Sequence, residues 1–307
     1  MGFTLDNMQA FDTSKVKTPS FVNFLFDMVP VNIVDSMAKN QIMQMIFFTV
    51  LVGVALVSLG EKVAGVTKIF DQCASIIYKM LDIVMLYSPI GVLALMANTT
   101  AVLGPKLFGV LAKFVFTDWV GCLLIWFFFS GIVWLYTKVH YLEMCKSMIP
   151  IWVNTIATNS SAGTIPITLN VTTERLKVPM SIASFSIPLG ATINLTGAAL
   201  YKTILAFFVA EIYGLQLTID QILMVIIIST IMSIAAPGIP GGGIVTGAIF
   251  LNLLGLPMDL MGPIAGMYRL IDMSHTTVNV SGDVLGTMLV AKNENIWTGE
   301  DFNKTLV

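Results

Sequence analysis

Apolar stretches long enough to cross a bilayer occupy the first half of this chain; the second half carries apolar stretches cut in the middle. About 20 consecutive apolar residues cover the hydrocarbon core of a membrane. Residues 41–60 and 106–136 meet that length, the latter rich in aromatics with Lys, Trp and Tyr at its fringes, as interfacial anchoring expects. Residues 73–97 form a further span interrupted by Lys79, Asp82 and Pro89, and Glu61 to Lys68 make a polar break before it. Residues 1–20 are polar and predict an extramembrane lead, and 21–40, amphipathic and broken at Pro30, predict an interfacial segment.

From residue 147 onward the pattern changes. Residues 147–170 are apolar but split by the small, polar run NSSAGT, leaving flanks of about ten residues, too short to span. The pattern predicts a re-entrant hairpin with its tip at Ser160–Gly163. Residues 183–210 are long enough to span, yet LGATINLTG in their middle is poor helix sequence. Residues 221–256 repeat the hairpin plan around PGIPGGG. Non-helical backbone at membrane depth survives only inside protein or beside water, because each unsatisfied group costs several kcal/mol in hydrocarbon. Paired interruptions of this kind point to a solute-binding site.

The last long apolar stretch, 261–291, carries Asp272, Thr276, Asn279 and Asp283 at i, i+4, i+7 and i+11. In a helix that spacing puts all four on one face. An Asp at the centre of a membrane helix costs roughly 2.5–3.5 kcal/mol on insertion scales, so two on one stripe predict ion or solute binding. A polar tail, 293–307, follows.

Composition agrees with the pattern. Of 307 residues, 56% are hydrophobic and 11% charged, against about 25% charged in soluble domains. The expectation is an all-α, multi-pass protein of the cell (plasma) membrane, with the lipid bilayer as its first partner. A net charge of −2 gives no support for nucleic-acid binding. Cys73, Cys122 and Cys145 lie far apart, and His140 and His275 are too distant for a metal site of the usual spacing. No paired acid–base groups and no nucleophile–His arrangement stand out, so neither enzyme chemistry nor a covalent cofactor is expected.

SSAGTIPIT, PLGATINLTG, GIPGGG and DMSHTTVNVSGD, in this order and at this spacing, resemble the motifs of the dicarboxylate/amino acid:cation symporters, the glutamate-transporter homologues. The similarity runs from about residue 21 to 292. It implies a homotrimer of protomers with a scaffold domain and a transport domain, the latter holding two re-entrant hairpins and a broken penultimate helix. The transport domain slides across the membrane as an elevator, carrying an amino acid or dicarboxylate with sodium or protons, and the second hairpin gates it. On this reading 21–72 is interfacial segment and scaffold helix, 73–146 further spanning helices, and 147–292 the transport core.

Position by position, the resemblance implies that Asp272 binds a substrate amino group and that Thr276 and Asn279 contact the substrate. Ser160 and Ser161, with backbone near Gly241, would hold its carboxylate. The serines could equally cap the hairpin's second half-helix, a role compatible with binding. Asp283 resembles the carboxylate of a sodium site, completed by Asn194, Asn279 and carbonyls of the 191–195 stretch.

Four departures qualify the likeness. The broken-helix motif usually carries an acid where Thr196 stands, so one sodium ligand position is lost. His275 replaces an arginine that clamps a second substrate carboxylate with a planar fork a histidine cannot reproduce; a neutral amino acid as substrate is one reading, and a His whose charge depends on local pH is another. Asn159 stands where some members have an arginine, leaving Arg269 as a substitute anion clamp or as the charge partner of Asp272. Finally, the family's first three spanning helices have no counterpart before residue 21, which suggests a truncated reading frame, a fragment, or a short form that needs a partner. The alternative to a transporter is therefore a non-transporting remnant or a partner-dependent subunit of the same family.

Overall fold

The computed structural model describes residues 26–39, 41–87, 90–91, 93–94, 97, 101, 106–234, 236, 238 and 241–304. The expected lead 1–20, residues 21–25 of the interfacial segment, residues 88–89, 92 and 95–96 of the 73–97 span and residues 305–307 lie outside them. All regular structure among the described residues is helical, and three helical stretches, Met43–Ile77, Phe108–Thr137 and Met180–Ile212, are long and apolar enough to cross a membrane. The chain divides into two compact units, one over Thr18–Leu95 and one built on Met96–Val307.

In the first unit, Asn32 caps α1 (Ile33–Ala38), its Oδ1 accepting from Val34 N at 3.0 Å and Asp35 N at 3.4 Å. The loop into α2 (Ile42–Leu59) is tied by Ser36, whose hydroxyl donates to Gln44 Oε1 at 2.6 Å. The polar break is shorter than the sequence predicts: a 3-10 turn over Gly60–Val63, with Gly60 at φ 53°, leads directly into α3 (Ala64–Met85). Gly60 makes the turn because it enters positive φ without steric cost. Beyond it, Lys68 lies inside a helix that needs no apolar residue there.

The second unit is organised around two long helices, α4 (Lys106–Thr137) and α11 (Met261–Asn293), which pack along each other. Between them in sequence come α5 (Tyr141–Thr158), α6 (Ser161–Asn170), α7 (Met180–Ile193), α8 (Thr196–Ile212), α9 (Ile219–Ile234) and α10 (Gly242–Leu253). The two arms of the first predicted hairpin are α5 and α6, and only Asn159 and Ser160 separate them. Asn159 is left-handed (φ 51°), a conformation Asn tolerates. Ser160 is extended, and its Oγ accepts from Gly163 N at 3.0 Å, starting α6. Ser161 to Gly163, expected at the tip, are helical instead.

The first arm is also longer than expected, because Glu143 and Lys146 pair at 2.6 Å on the exposed side while Met144 and Met148 bury themselves beneath. Those methionines join Ile151, Val280, Val284 and Met288 in the core between α5 and α11. The predicted broken helix breaks at Asn194–Leu195 alone, between α7 and α8. The chain ends its described course at α12 (Gly299–Asn303), seated by the buried Trp297, whose Nε1 donates to Leu176 O at 3.1 Å.

Candidate functional site

The polar stripe of α11 meets the break between α7 and α8. Asn194 Nδ2 donates to Asp283 Oδ1 at 2.8 Å and to Asn279 O at 3.2 Å. Thr196 Oγ1 donates to Asn194 Oδ1 at 2.7 Å, and Asn279 Oδ1 accepts from Gly197 N at 2.7 Å, satisfying an amide at the start of α8. Asn194, Thr196, Asn279 and Asp283 thus form one network. Asp283 Oδ2 remains buried without a hydrogen-bond partner among the described residues.

This approach depends on glycine. A Cβ at Gly197 would lie 2.6 Å from His275 Cα, and one at Gly282 would lie 2.7 Å from Asn194 Nδ2. The donor set is hard oxygen throughout, apart from the one amide NH₂, the chemistry that hard cations take.

One turn away, a narrow cleft is lined by Ser161, Tyr268, Asp272, His275, Thr276 and Asn279, with Asn159, Ala198 and Gly238 among its other walls. The structure therefore brings the sequence-predicted substrate residues of α11 together with the start of α6. Asp272 Oδ2 accepts from Gly241 N at 3.3 Å, and its Oδ1 faces the Tyr268 hydroxyl at 3.5 Å. Gly241 is left-handed (φ 77°) and opens α10, so the second interrupted segment touches the stripe through its backbone. Ser160 caps α6 and donates to Gly238 O at 3.4 Å, linking the two interrupted segments.

Two expected roles are redirected. Arg269 does not pair with Asp272 among the described residues: its Nη2 donates to Ala157 O at 2.9 Å, while its own carbonyl accepts from Asn159 Nδ2 at 2.9 Å. Helical spacing put it on the stripe, but its side chain is exposed and satisfies the free carbonyls at the end of α5 instead. His275 lines the cleft but already has a partner: its Nε2 lies 2.7 Å from Asp118 Oδ1. Both residues are buried, at 1% and 0% exposure.

Sequence reasoning missed Asp118. Its second oxygen, Oδ2, accepts from Ser274 Oγ at 2.9 Å, and Cys122 Sγ stands 4.0 Å from the same atom. The imidazole is boxed by Tyr201 and Tyr268, with ring centroids 5.3 and 6.4 Å away, and its Nδ1 is buried without a hydrogen-bond partner among the described residues. Lys202, also missed, is fully buried in α8. Both were visible as single charges inside apolar runs, the pattern that marks a functional position in a membrane helix.

The family model described as the sodium:dicarboxylate symporter family matches residues 2–293. A proton/glutamate-aspartate symporter of Bacillus subtilis (strain 168) is 32% identical over 286 residues, covering 93% of this chain and 69% of that relative. A protein of the same description from Escherichia coli (strain K12) is 32% identical over 272 residues, covering 88% of this chain and 62% of its own length. A C4-dicarboxylate transport protein of Bacillus subtilis (strain 168) is 29% identical over 279 residues, 90% of this chain and 65% of that relative. The chain thus spans roughly two thirds of the length of these relatives. With its spanning-length apolar helices and a match running almost from end to end, this multi-pass membrane chain belongs to the sodium:dicarboxylate symporter family, whose members transport solutes rather than catalyse reactions.

Proposed function

We propose that the protein is a secondary transporter that moves an amino acid or dicarboxylate together with a cation, sodium or proton, by an elevator motion. The observation that carries this reading is the junction of two polar sites on one helix. The carboxylate of Asp283 keeps a free, buried oxygen beside Asn194 and Asn279. Asn279 also lines the cleft that holds Asp272 and Thr276. A cation at Asp283 would order the α7–α8 break, and through Asn279 it would raise substrate affinity; the substrate must raise cation affinity by the same factor.

On this reading Asp272 binds the amino group, Thr276 and Asn279 hold the substrate's polar atoms, and Ser160, Ser161 and the backbone at Gly241 take its carboxylate at the start of α6. α5–α6 and α9–α10 serve as re-entrant hairpins, the second as gate. The contact from Gly241 N to Asp272 is the kind a bound amine would break. Because α4 packs along α11, the moving body would begin near residue 106 rather than 147. Reported relatives carry glutamate, aspartate or C4-dicarboxylates. Among the described residues no arginine or lysine lines the cleft, and its one histidine, His275, is held by Asp118. This favours an amino acid with an uncharged side chain.

A thermal-shift screen of the purified protein against amino acids and dicarboxylates, with and without sodium and across pH, tests the reading. Ligands that bind the folded state raise apparent stability by mass action. A hit whose shift depends on sodium or pH supports symport; shifts that ignore both would argue against it.

A further inference from the structure

Lys202 carries a charge that the proposed transport cycle does not use. It lies in α8, and no part of it reaches solvent. Its Nζ donates to Ala198 O at 3.3 Å and to Ser233 Oγ at 3.2 Å. Neither of these oxygens is charged, and among the described residues no carboxylate pairs with the amine. The elements packed on α8 offer no substitute: on α4 Asp118 is taken by His275, on α11 Asp272 faces Gly241 and Asp283 faces Asn194, and the acid of α9, Asp220, sits in its first turn, away from Ser233. Tyr201, the neighbour on α8 itself, is neutral.

A buried ammonium ordinarily pairs with an acid. Here a backbone carbonyl and a hydroxyl hold it instead, hard neutral oxygens of the kind that coordinate hard metal cations. The seam continues beside it, where Thr203 Oγ1 and Ser229 Oγ lie 3.2 Å apart. Ser233 lies in the last turn of α9, just before the segment that leads to Gly241 over the cleft. The amine therefore bridges the second half of the broken helix to the root of the second interrupted segment.

We propose that Lys202 is a tethered cation: its amine fills, between α8 and α9, a position that a free monovalent cation would otherwise take. Shortening Lys202 should turn the filled position into a binding site for sodium or for a small alkylammonium ion.

The test measures binding, so it does not depend on transport. Thermal stability of the full chain in detergent is followed for Lys202→Ala and Lys202→Gln against sodium, potassium and methylammonium chloride. Ionic strength is held constant with N-methylglucammonium chloride. Both variants, and the parent carrying Lys202, are placed in an Asp283→Asn background, which removes the other cation site.

The expected result is a lowered Tm for Lys202→Ala that rises saturably with sodium or methylammonium, while the parent shows no such rise. Lys202→Gln, which keeps the bulk and donors, shows the intermediate response and carries the comparison if the alanine variant fails to fold. A folded variant whose cation response equals the parent's overturns the proposal. So does Lys202→Met if it raises Tm without gaining a cation response, since Lys202 would then be filling space.

Discussion

Nε2 of His275, on α11, lies 2.7 Å from Oδ1 of Asp118, on α4, and the pair is sealed from solvent. The two residues stand 157 positions apart. Removing one partner of such a pair strands the other in the interior, at a cost of about 3–5 kcal/mol, whereas replacing both by apolar groups is often neutral. Asp118→Ala should therefore lower the Tm in detergent markedly, and Asp118→Leu with His275→Leu should recover most of the loss. A double-mutant cycle reads the coupling directly; additive effects would mean the two side chains act independently.

The same pair bears on selectivity. An arginine introduced at 275 meets the Asp118 carboxylate first, and its planar fork suits that partner well. His275→Arg alone should shift preference towards aspartate and glutamate only weakly. His275→Arg with Asp118→Val should shift it strongly, because the guanidinium is then free for a substrate carboxylate. Competition assays that rank substrates identically in the parent and the double variant would remove His275 as a selectivity residue.

Asp283 supplies the carboxylate of the network at the α7–α8 break. Asp283→Asn removes the charge while keeping the shape and a hydrogen-bonding group. The expected outcome is a folded protein whose substrate-induced thermal shift no longer depends on sodium or on protons. Unchanged cation dependence would rule out this site.

Gly197 sets how closely α8 approaches α11. A methyl there meets the backbone of His275, at 2.6 Å from Cα and 2.9 Å from the carbonyl oxygen, and backbone cannot turn aside. Gly197→Ala should cost about 1–3 kcal/mol by overpacking and weaken cation binding, because it pulls Gly197 N from Asn279 Oδ1. Gly131 in α4 has nothing within 4 Å of such a methyl, so Gly131→Ala should be neutral or slightly stabilising. Equal effects at the two sites would argue against the close approach.

At the C-terminal end, Asp301 Oδ2 accepts from Thr298 Oγ1 at 2.9 Å and from Thr298 N at 2.7 Å. These bonds, the hydroxyl's first, hold the Asp301 carboxyl below the usual carboxylate range. A depressed carboxyl stabilises the fold above its unfolded value, about 3.9, and that contribution is lost as pH falls through the folded value. Acidification below that point should loosen α12, and Asp301→Ala, which removes one half of the capping box, should do so at neutral pH. Trp297, buried beside α12, reports it by fluorescence; a spectrum unchanged by either treatment would exclude the cap's contribution.

Much of the helical layout was legible in the chain because periodicity and length are local. The stripe Asp272–Thr276–Asn279–Asp283 follows from helical spacing, and the structure keeps all four on the inner face of α11. The interruptions at 159–160, 194–195 and near 241 were legible as small polar runs, though their extent was not. Ser161 to Gly163 coil into helix because the Ser160 side chain caps α6 by taking the Gly163 amide, and such a cap draws the boundary more tightly than composition does.

Partnership was decided by tertiary structure alone. Nothing in the local sequence says whether Arg269 reaches along its own helix to Asp272 or across to Ala157, or that the partner of His275 lies on α4. Periodicity fixes which face a side chain occupies; which charge it meets depends on which helices pack against that face. In an apolar interior, where an unpaired charge costs more than any local preference returns, that second choice governs where the buried charges go.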